Sequence, residues 1–281
     1  MTRSPLAATA AILLLLTGTG SAAQVATPDD WDFGADPARN LSVAAVTFDR
    51  FGVAVRCMDG SLSVVISGLP EASGQRRLLT SMRGEPEVET LWVSGSRSTS
   101  AFALWPRSVA RNLSEGGRLS VAALDGETTR RYVVDLPPSS TSIAQVFQAC
   151  GHELVPATDD QAPSGEDFAG LSWARTPEIT FPSNARYEQG LAAIWCYVRE
   201  NGGLRDCTVE SEFPEGSGFG RQATLGAHRT GRVKPADSSV GGMEDRRVSF
   251  VTRYRMAGMS MTPAPSRLPV RDEIYNPPPA R

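Results

Sequence analysis

The chain has 281 residues, of which 41% are hydrophobic and 21% charged, and its formal net charge is -3. That length and composition suit two ordinary globular domains with buried cores. The near-balance of charge gives no basic excess for nucleic acid and no acidic tail for a polycationic partner.

At the N-terminus, Arg3 precedes the apolar run "LAATAAILLLL" and then "TGTGSAA". A basic start, a short apolar core and small residues at Ser21 and Ala23 form the pattern of a secretory leader. Residues 1–23 are therefore expected to be removed as a signal peptide, with the mature chain starting at Gln24. The apolar core falls short of the roughly 20 residues a bilayer span needs. No cysteine follows it to carry lipid, so no stable membrane anchor is expected, and the protein is placed in the periplasm or outside the cell.

Residues 24–152 read as a β-rich domain. "LSVAAVTFD", "GVAVRC", "SLSVVIS", "ETLWVSG", "SAFALW", "RLSVAAL" and "RRYVVDL" are short strand-forming runs. Asp59-Gly60 and Asp125-Gly126 mark tight turns between them. Many short strands at close spacing predict an all-β sandwich or barrel. A helix closes this domain: in "PPSSTSIAQVFQACG", Ser and Thr offer N-caps. Ile143, Val146, Phe147 and Cys150 share one face, and Gly151 stops the helix.

The polar, Pro/Gly-rich stretch 153–172 reads as a linker. Residues 173–256 then form a second domain. "FPSNARYEQG" predicts a short helix ending at Gly190. A hairpin spans 191–212, "GSGFGRQATLGAHR" is a second helix, and "RRVSFVTRYRM" is a final strand. Residues 257–281 are a Pro-rich tail.

An exported chain with Cys57, Cys150, Cys196 and Cys207 is expected to form disulfides. Four cysteines permit three connectivities, and the hairpin selects one. With "ENGG" as a four-residue loop closed by Arg199 and Leu204, stepping back pairs Val198 with Arg205, Tyr197 with Asp206 and Cys196 with Cys207. The cysteines then form a non-hydrogen-bonded pair, with Cα atoms about 4.5 Å apart. A two-residue Asn-Gly loop keeps the same partners in a poorer geometry. Cys57 and Cys150 remain for each other. No Cys-x-x-Cys exists for redox chemistry, and His152 beside Cys150 lacks the further ligands of a zinc site.

The order of pieces in 173–256 resembles the C-terminal domain of the TonB family. The likeness is carried by a Pro-containing entry and short helix before a Gly, and by strand–"NGG"–strand. It continues through "FPEGSGFGRQA", "VKPA" and a closing strand with alternating apolar residues. The resemblance implies a small α+β domain, a three-stranded antiparallel sheet packed by helices, that binds a partner by accepting a peptide strand. The family's long Pro- and Lys-rich spacer is missing here, so partner binding is implied rather than energy transduction. Through "VRC", "ISGLP" and a late helix carrying a cysteine, the N-terminal half resembles small exported proteins of the invasion-associated locus B type.

Alternation in the second domain puts Ala192, Ile194, Cys196 and Val198 on a core face with Val248, Phe250, Tyr254 and Met256. Phe219, Ala223 and Ala227 give the second helix a small-residue face to lie on it. Trp195, Tyr197, Arg247, Arg253 and Arg255 fall on the opposite face, with Asp206, Thr208, Ser249 and Glu210. Trp, Tyr and Arg are the hot-spot residue types, so these five are the candidate partner-binding set. The competing expectation packs Trp195 against the first domain and pairs the arginines with Asp206 and Glu210.

No catalytic motif emerges. Gly-x-Ser-x-Gly and His-Glu-x-x-His are missing, and "GSGFG" lacks the Lys-Ser/Thr of a phosphate loop. No catalytic residue, metal ligand or cofactor is therefore assigned. The expected role is non-catalytic binding or adaptor work in a bacterial cell envelope, with an envelope protein or peptide strand as partner. The alternatives are an assembly module dimerising through its sheet edge and an unrecognised hydrolase.

Overall fold

A computed structural model describes residues 31–155, 162–183, 186–256 and 272–275. The leader 1–23 lies outside the described residues. So do 156–161 within the 153–172 stretch and all of the 257–281 tail except 272–275.

The N-terminal half is built from β1 (Asp32–Asp36), a 3-10 turn at Pro37–Arg39, β2 (Leu41–Phe48), β3 (Phe51–Met58) and β4 (Ser61–Ser67). It continues through β5 (Ala72–Met82), β6 (Val88–Ser98), β7 (Ala101–Ala103), α1 (Pro106–Ser114), β8 (Gly117–Asp125), β9 (Thr128–Leu136) and α2 (Ser142–Ala149). At the β3–β4 hairpin both Asp59 and Gly60 take positive φ, the turn type an Asp-Gly pair favours. The C-terminal half contains β10 (Leu171–Arg175), β11 (Gln189–Val198), β12 (Leu204–Phe213), α3 (Phe219–Thr230), β13 (Arg232–Pro235), β14 (Arg247–Arg255) and β15 (Asp272–Tyr275).

Strands β1-β2-β3-β4-β7-β6-β5-β8-β9-β15 form one ten-stranded sheet in that order, antiparallel except where β15 joins β9. It is one large sheet with β1 and β15 as its edges. Strands distant in the sheet order meet in the core. Phe51 on β3 stacks on Tyr132 of β9 at 5.0 Å, and the Tyr132 hydroxyl donates to the Gly68 carbonyl at 2.9 Å. Helix α2 fills the interior. Ile143, Val146 and Phe147 are fully buried, each contributing about 1.5–3 kcal/mol by leaving water. Cys150 caps α2 and is disulfide-bonded to Cys57 on β3.

The three-stranded sheet has the order β12-β11-β14. Its predicted core face meets α3: Ile194, Cys196, Phe250 and Tyr254 pack with Phe219, Ala223 and Ala227. Met256, assigned to that face, is exposed. The opposite face is covered too. Leu191, Ala193 and Val251 pack with Val93, Leu104 and Trp105 from the ten-stranded sheet and its crossover into α1.

Four further sequence expectations need correction. The described residues of 181–190 form no helix. Pro182 and Ser183 favour turns, and Gly190 belongs to β11. A Cβ there would lie 2.2 Å from the Phe219 ring and 2.4 Å from the Phe213 carbonyl oxygen, so Gly190 permits a close approach rather than ending a helix. The strand expected at 100–105 stops at Ala103, because Pro106 starts α1 at its first turn. In the stretch read as a linker, Asp167 and Ser249 exchange backbone hydrogen bonds of 2.9 and 2.7 Å, and Glu166 accepts from the Val251 amide. These contacts satisfy outward groups on the edge of β14, which would otherwise stand open.

The fourth concerns the hairpin. Arg199 N–H donates to the Gly203 carbonyl, so the loop holds three residues, Glu200 to Gly202, and Val198 faces Leu204 rather than Arg205. Gly202 takes φ +75°, and a Cβ there would strike the Val233 carbonyl at 2.2 Å. The Asn-Gly-Gly triplet thus lets the turn dock on β13.

Candidate functional site

The site is built by β12, which carries two irregularities of register. Tyr197 faces Arg205 but Trp195 faces Thr208, so Asp206 and Cys207 together oppose Cys196. Asp206 has φ +48°, the left-handed geometry of a bulge residue that Asp tolerates. The bulge restores the expected cysteine pairing, and the two Cα atoms lie 4.1 Å apart in the Cys196–Cys207 disulfide. The second bulge lies at Glu210, between pairs Ile194–Val209 and Ala193–Ser211. It sends two consecutive side chains toward the ten-stranded sheet. Glu210 accepts from the Arg107 backbone N–H at 3.2 Å and from Arg107 Nε at 2.8 Å, with a further ion pair to Nη2. The Ser211 hydroxyl donates to the Leu104 carbonyl at 2.7 Å.

Beside this junction lies a cleft of about 380 Å³ between β3, β4 and β7 on one side and β12 and the start of α3 on the other. Val93, Phe102, Leu104 and Phe213 give it apolar lining, and Arg56, Arg107, His152, Glu215 and Arg221 give it charge. The Phe102 and Phe213 rings are 5.6 Å apart, with the Arg56 guanidinium 5.4 Å over Phe102. Arg56 donates from Nη2 to Glu215 Oε2 at 2.5 Å and from Nε to Ser63 Oγ at 2.8 Å. Glu215 Oε1 and Ser217 Oγ are buried with no hydrogen-bond partner among the described residues. Burial pushes the Glu215 carboxyl above its ordinary range; Arg56 draws it back, while Asp59 and Glu212 push it further up. Glu212 is committed to α3, accepting from the Gly218 and Gly220 amides at 3.2 and 2.7 Å. That caps a helix whose Gly218 N-cap has no side chain to do so. Burial lowers the His152 pKa, Arg107 and Arg111 lower it further, and Glu210 opposes them.

The five residues assigned to partner binding fall in three places. Trp195 is only 8% exposed. It lies between the Arg107 and Arg247 guanidinium groups at 5.8 and 5.7 Å. Tyr197 meets it edge-on at 5.4 Å, with Arg205 over the Tyr197 ring. Arg253 is exposed and donates to Gln75 Oε1 on β5 at 3.2 Å. Arg255 is exposed at the end of β14. The structure therefore gathers Trp195, Tyr197 and Arg247 and separates the other two. Glu210 pairs with Arg107, not with the β14 arginines, and Asp206 pairs with Arg205.

Arg56, Arg107 and Glu215 carry no sequence motif. The one pointer to the cleft is "ESE" at 210–212, an acidic cluster inside an otherwise core-forming hairpin. Among the described residues, no group of three or more His, Cys, Asp or Glu side chains gathers to hold a metal ion. No described helix is long and apolar enough to cross a membrane. No protein-family model matches the chain, and no curated protein or solved structure matches it either.

Proposed function

We propose that the chain is a non-catalytic binding or adaptor protein of the bacterial cell envelope, periplasmic or secreted. In this reading a disulfide-tied β-rich domain and a TonB-C-like α+β domain form one body, and the cleft between them takes an extended segment of an envelope protein. The two disulfides support an oxidising compartment. The order β12-β11-β14 with α3 on one face supports the family reading.

The observation that carries the binding role is unused polar capacity in an apolar-lined cleft. Glu215 Oε1 and Ser217 Oγ are buried without partners beside Arg56, and buried acceptors seek donors. An extended peptide presents backbone N–H groups and apolar side chains of the right kind. A hydrolytic role is less well supported, because two of the carboxylates that line the cleft with His152 are committed elsewhere, Glu210 to Arg107 and Glu212 to the α3 N-terminus. Site-specific photo-crosslinking in the native envelope tests the reading. A crosslinker replacing Arg221, exposed on the cleft rim, should capture a discrete partner. One replacing His228, exposed near the far end of α3, should not. Equal capture at both positions, or reproducible turnover of a substrate panel, would count against the proposal.

A further inference from the structure

The turn between β12 and α3 holds both of the buried polar atoms that the cleft leaves unused. The Ser217 N–H donates to the Pro214 carbonyl at 3.3 Å, which closes the turn and sets Glu215 and Ser217 close together on it. Gly216 and Gly218 take positive φ, and a Cβ on either would meet no atom within 4 Å. The turn therefore has room to shift as an occupant enters. Glu215 lines the cleft together with Phe102 and Phe213. Its Oε2 accepts from Arg56, while its Oε1 has no donor among the described residues. Ser217 Oγ is likewise without a partner there.

We propose, resting on the peptide-binding reading above, that the segment in the cleft is anchored by a primary ammonium, as on a lysine side chain, which donates to Glu215 Oε1 and Ser217 Oγ. A backbone N–H has a single hydrogen to give. An ammonium carries several on one nitrogen, so it can serve both acceptors at once. Charge points the same way. Arg56 is the cation that acts on Glu215, and Asp59 and Glu212 act against it. With burial added, the carboxyl is held above its ordinary range, so its charged form is under-compensated. The other cations of the cleft do not fill this place, since Arg107 is paired with Glu210 and Arg221 is exposed on the rim. A second positive charge beside Oε1 supplies what is missing. Lysine also suits the approach. Its aliphatic stem packs on apolar surface while the charge reaches beyond it, and the half-buried Phe102 and Phe213 rings, 5.6 Å apart, offer that surface.

The test uses the full mature chain and peptides on one scaffold, acetyl-Ala-Val-X-Val-Ala-amide, with lysine, norleucine or glutamate at X. Binding is followed through the amide NMR shifts of residues 213–220. The lysine peptide should bind about tenfold more tightly than the norleucine peptide, the scale of a hydrogen bond to a charged group. The glutamate peptide should bind more weakly than either. Glu215→Gln should bring the lysine and norleucine peptides level. Ser217→Ala removes an oxygen with no partner among the described residues, so it keeps the fold, and it should narrow the gap. Arg56→Gln should tighten lysine binding, because it withdraws the competing guanidinium from Glu215. A lysine preference that survives Glu215→Gln, or weaker lysine binding in Arg56→Gln, overturns the proposal. Equal binding of all the peptides, with shifts confined to the cleft, overturns it too and leaves the peptide-binding reading standing. Unmoved cleft signals with every peptide also overturn it, and crosslinking from position 221 then judges the wider reading separately.

Discussion

The Arg107–Glu210 pair is expected to hold the two sheets together, and its contribution can be separated from that of the surrounding apolar contact. The Glu210 side chain is 0% exposed and that of Arg107 15%. Arg107→Ala strands a buried carboxylate that had accepted from Nε and Nη2, leaving it the backbone N–H of residue 107. Losing one partner of a buried ion pair costs about 3–5 kcal/mol. It also removes the guanidinium over Trp195, worth about 0.5–2 kcal/mol. Glu210→Ala should cost less, about 2–3 kcal/mol, because the partly exposed Arg107 can turn toward water. Replacing both partners at once, Arg107→Met with Glu210→Leu, should leave stability within about 1–2 kcal/mol of the wild type, since well-packed apolar substitutes offset a lost pair. Urea unfolding followed by tryptophan fluorescence gives the cycle, whose coupling should exceed about 1.5 kcal/mol. NMR titration adds a second readout: the His152 pKa should rise in Arg107→Ala and fall in Glu210→Ala. Single-variant costs below about 1 kcal/mol with coupling under about 0.5 kcal/mol would refute the reasoning.

Three further outcomes are expected. Removing Cys196–Cys207, which closes a separation of 11 residues, should cost about 3 kcal/mol, and removing Cys57–Cys150, which closes 93, about 4.5 kcal/mol on chain-entropy grounds; denaturation of the paired Cys→Ala variants measures both. Gly190→Ala should cost at least about 1–3 kcal/mol, because its Cβ would meet the Phe219 ring and an immovable backbone carbonyl; a thermal midpoint equal to wild type would remove the close-approach argument. Glu215 sets a pH dependence. Its folded pKa lies above the ordinary 4.5, so the folded state binds more protons in that window and stability falls as pH rises. This contribution is complete below about 4.5 and lost as pH climbs through the folded value, so the stability of wild type relative to Glu215→Gln should decline with rising pH in melts recorded from about pH 3.5 upward.

Much of the architecture was legible because it rests on local periodicity. The runs at 41–67 and 117–136 became strands nearly residue for residue, and the Ile143–Val146–Phe147 stripe became the buried face of α2. Strand β5 was not legible. "ASGQRRLLTSM" is polar and Gly-interrupted, and it is a strand because β6 and β8 flank it. Its Arg76 is buried with one bond to the Pro70 carbonyl, an arrangement no alternation rule anticipates. The faces of β11 and β14 follow period 2, except at Met256 beyond the end of β14, which is exposed, but a sequence cannot say what covers a face. Trp195 was placed on the side away from α3, and the covering by Leu104, Trp105 and Arg107 comes from residues some ninety positions earlier.

The two bulges on β12 show why local reasoning reached the disulfide but missed the cleft. Strict alternation assigns one side chain in two to each face of a strand. The hairpin turn is one residue tighter than the cysteine register needs, and the bulge at Asp206 compensates for it, so a wrong loop length still yielded the right disulfide. The bulge at Glu210 has no such compensation. It shifts the register again, letting Glu210 and Ser211 both reach residues 104–107. The same shift carries Glu212 to the α3 side, where it caps the helix. Beyond the strand, the chain then delivers Glu215 to Arg56. One inserted residue thus divides three neighbouring polar side chains between two structures, the junction with the ten-stranded sheet and the start of α3. Deleting Glu210 should restore simple alternation and uncouple the halves while leaving the Cys196–Cys207 hairpin paired. A deletion variant that keeps wild-type cooperativity would show that the bulge does not govern the junction.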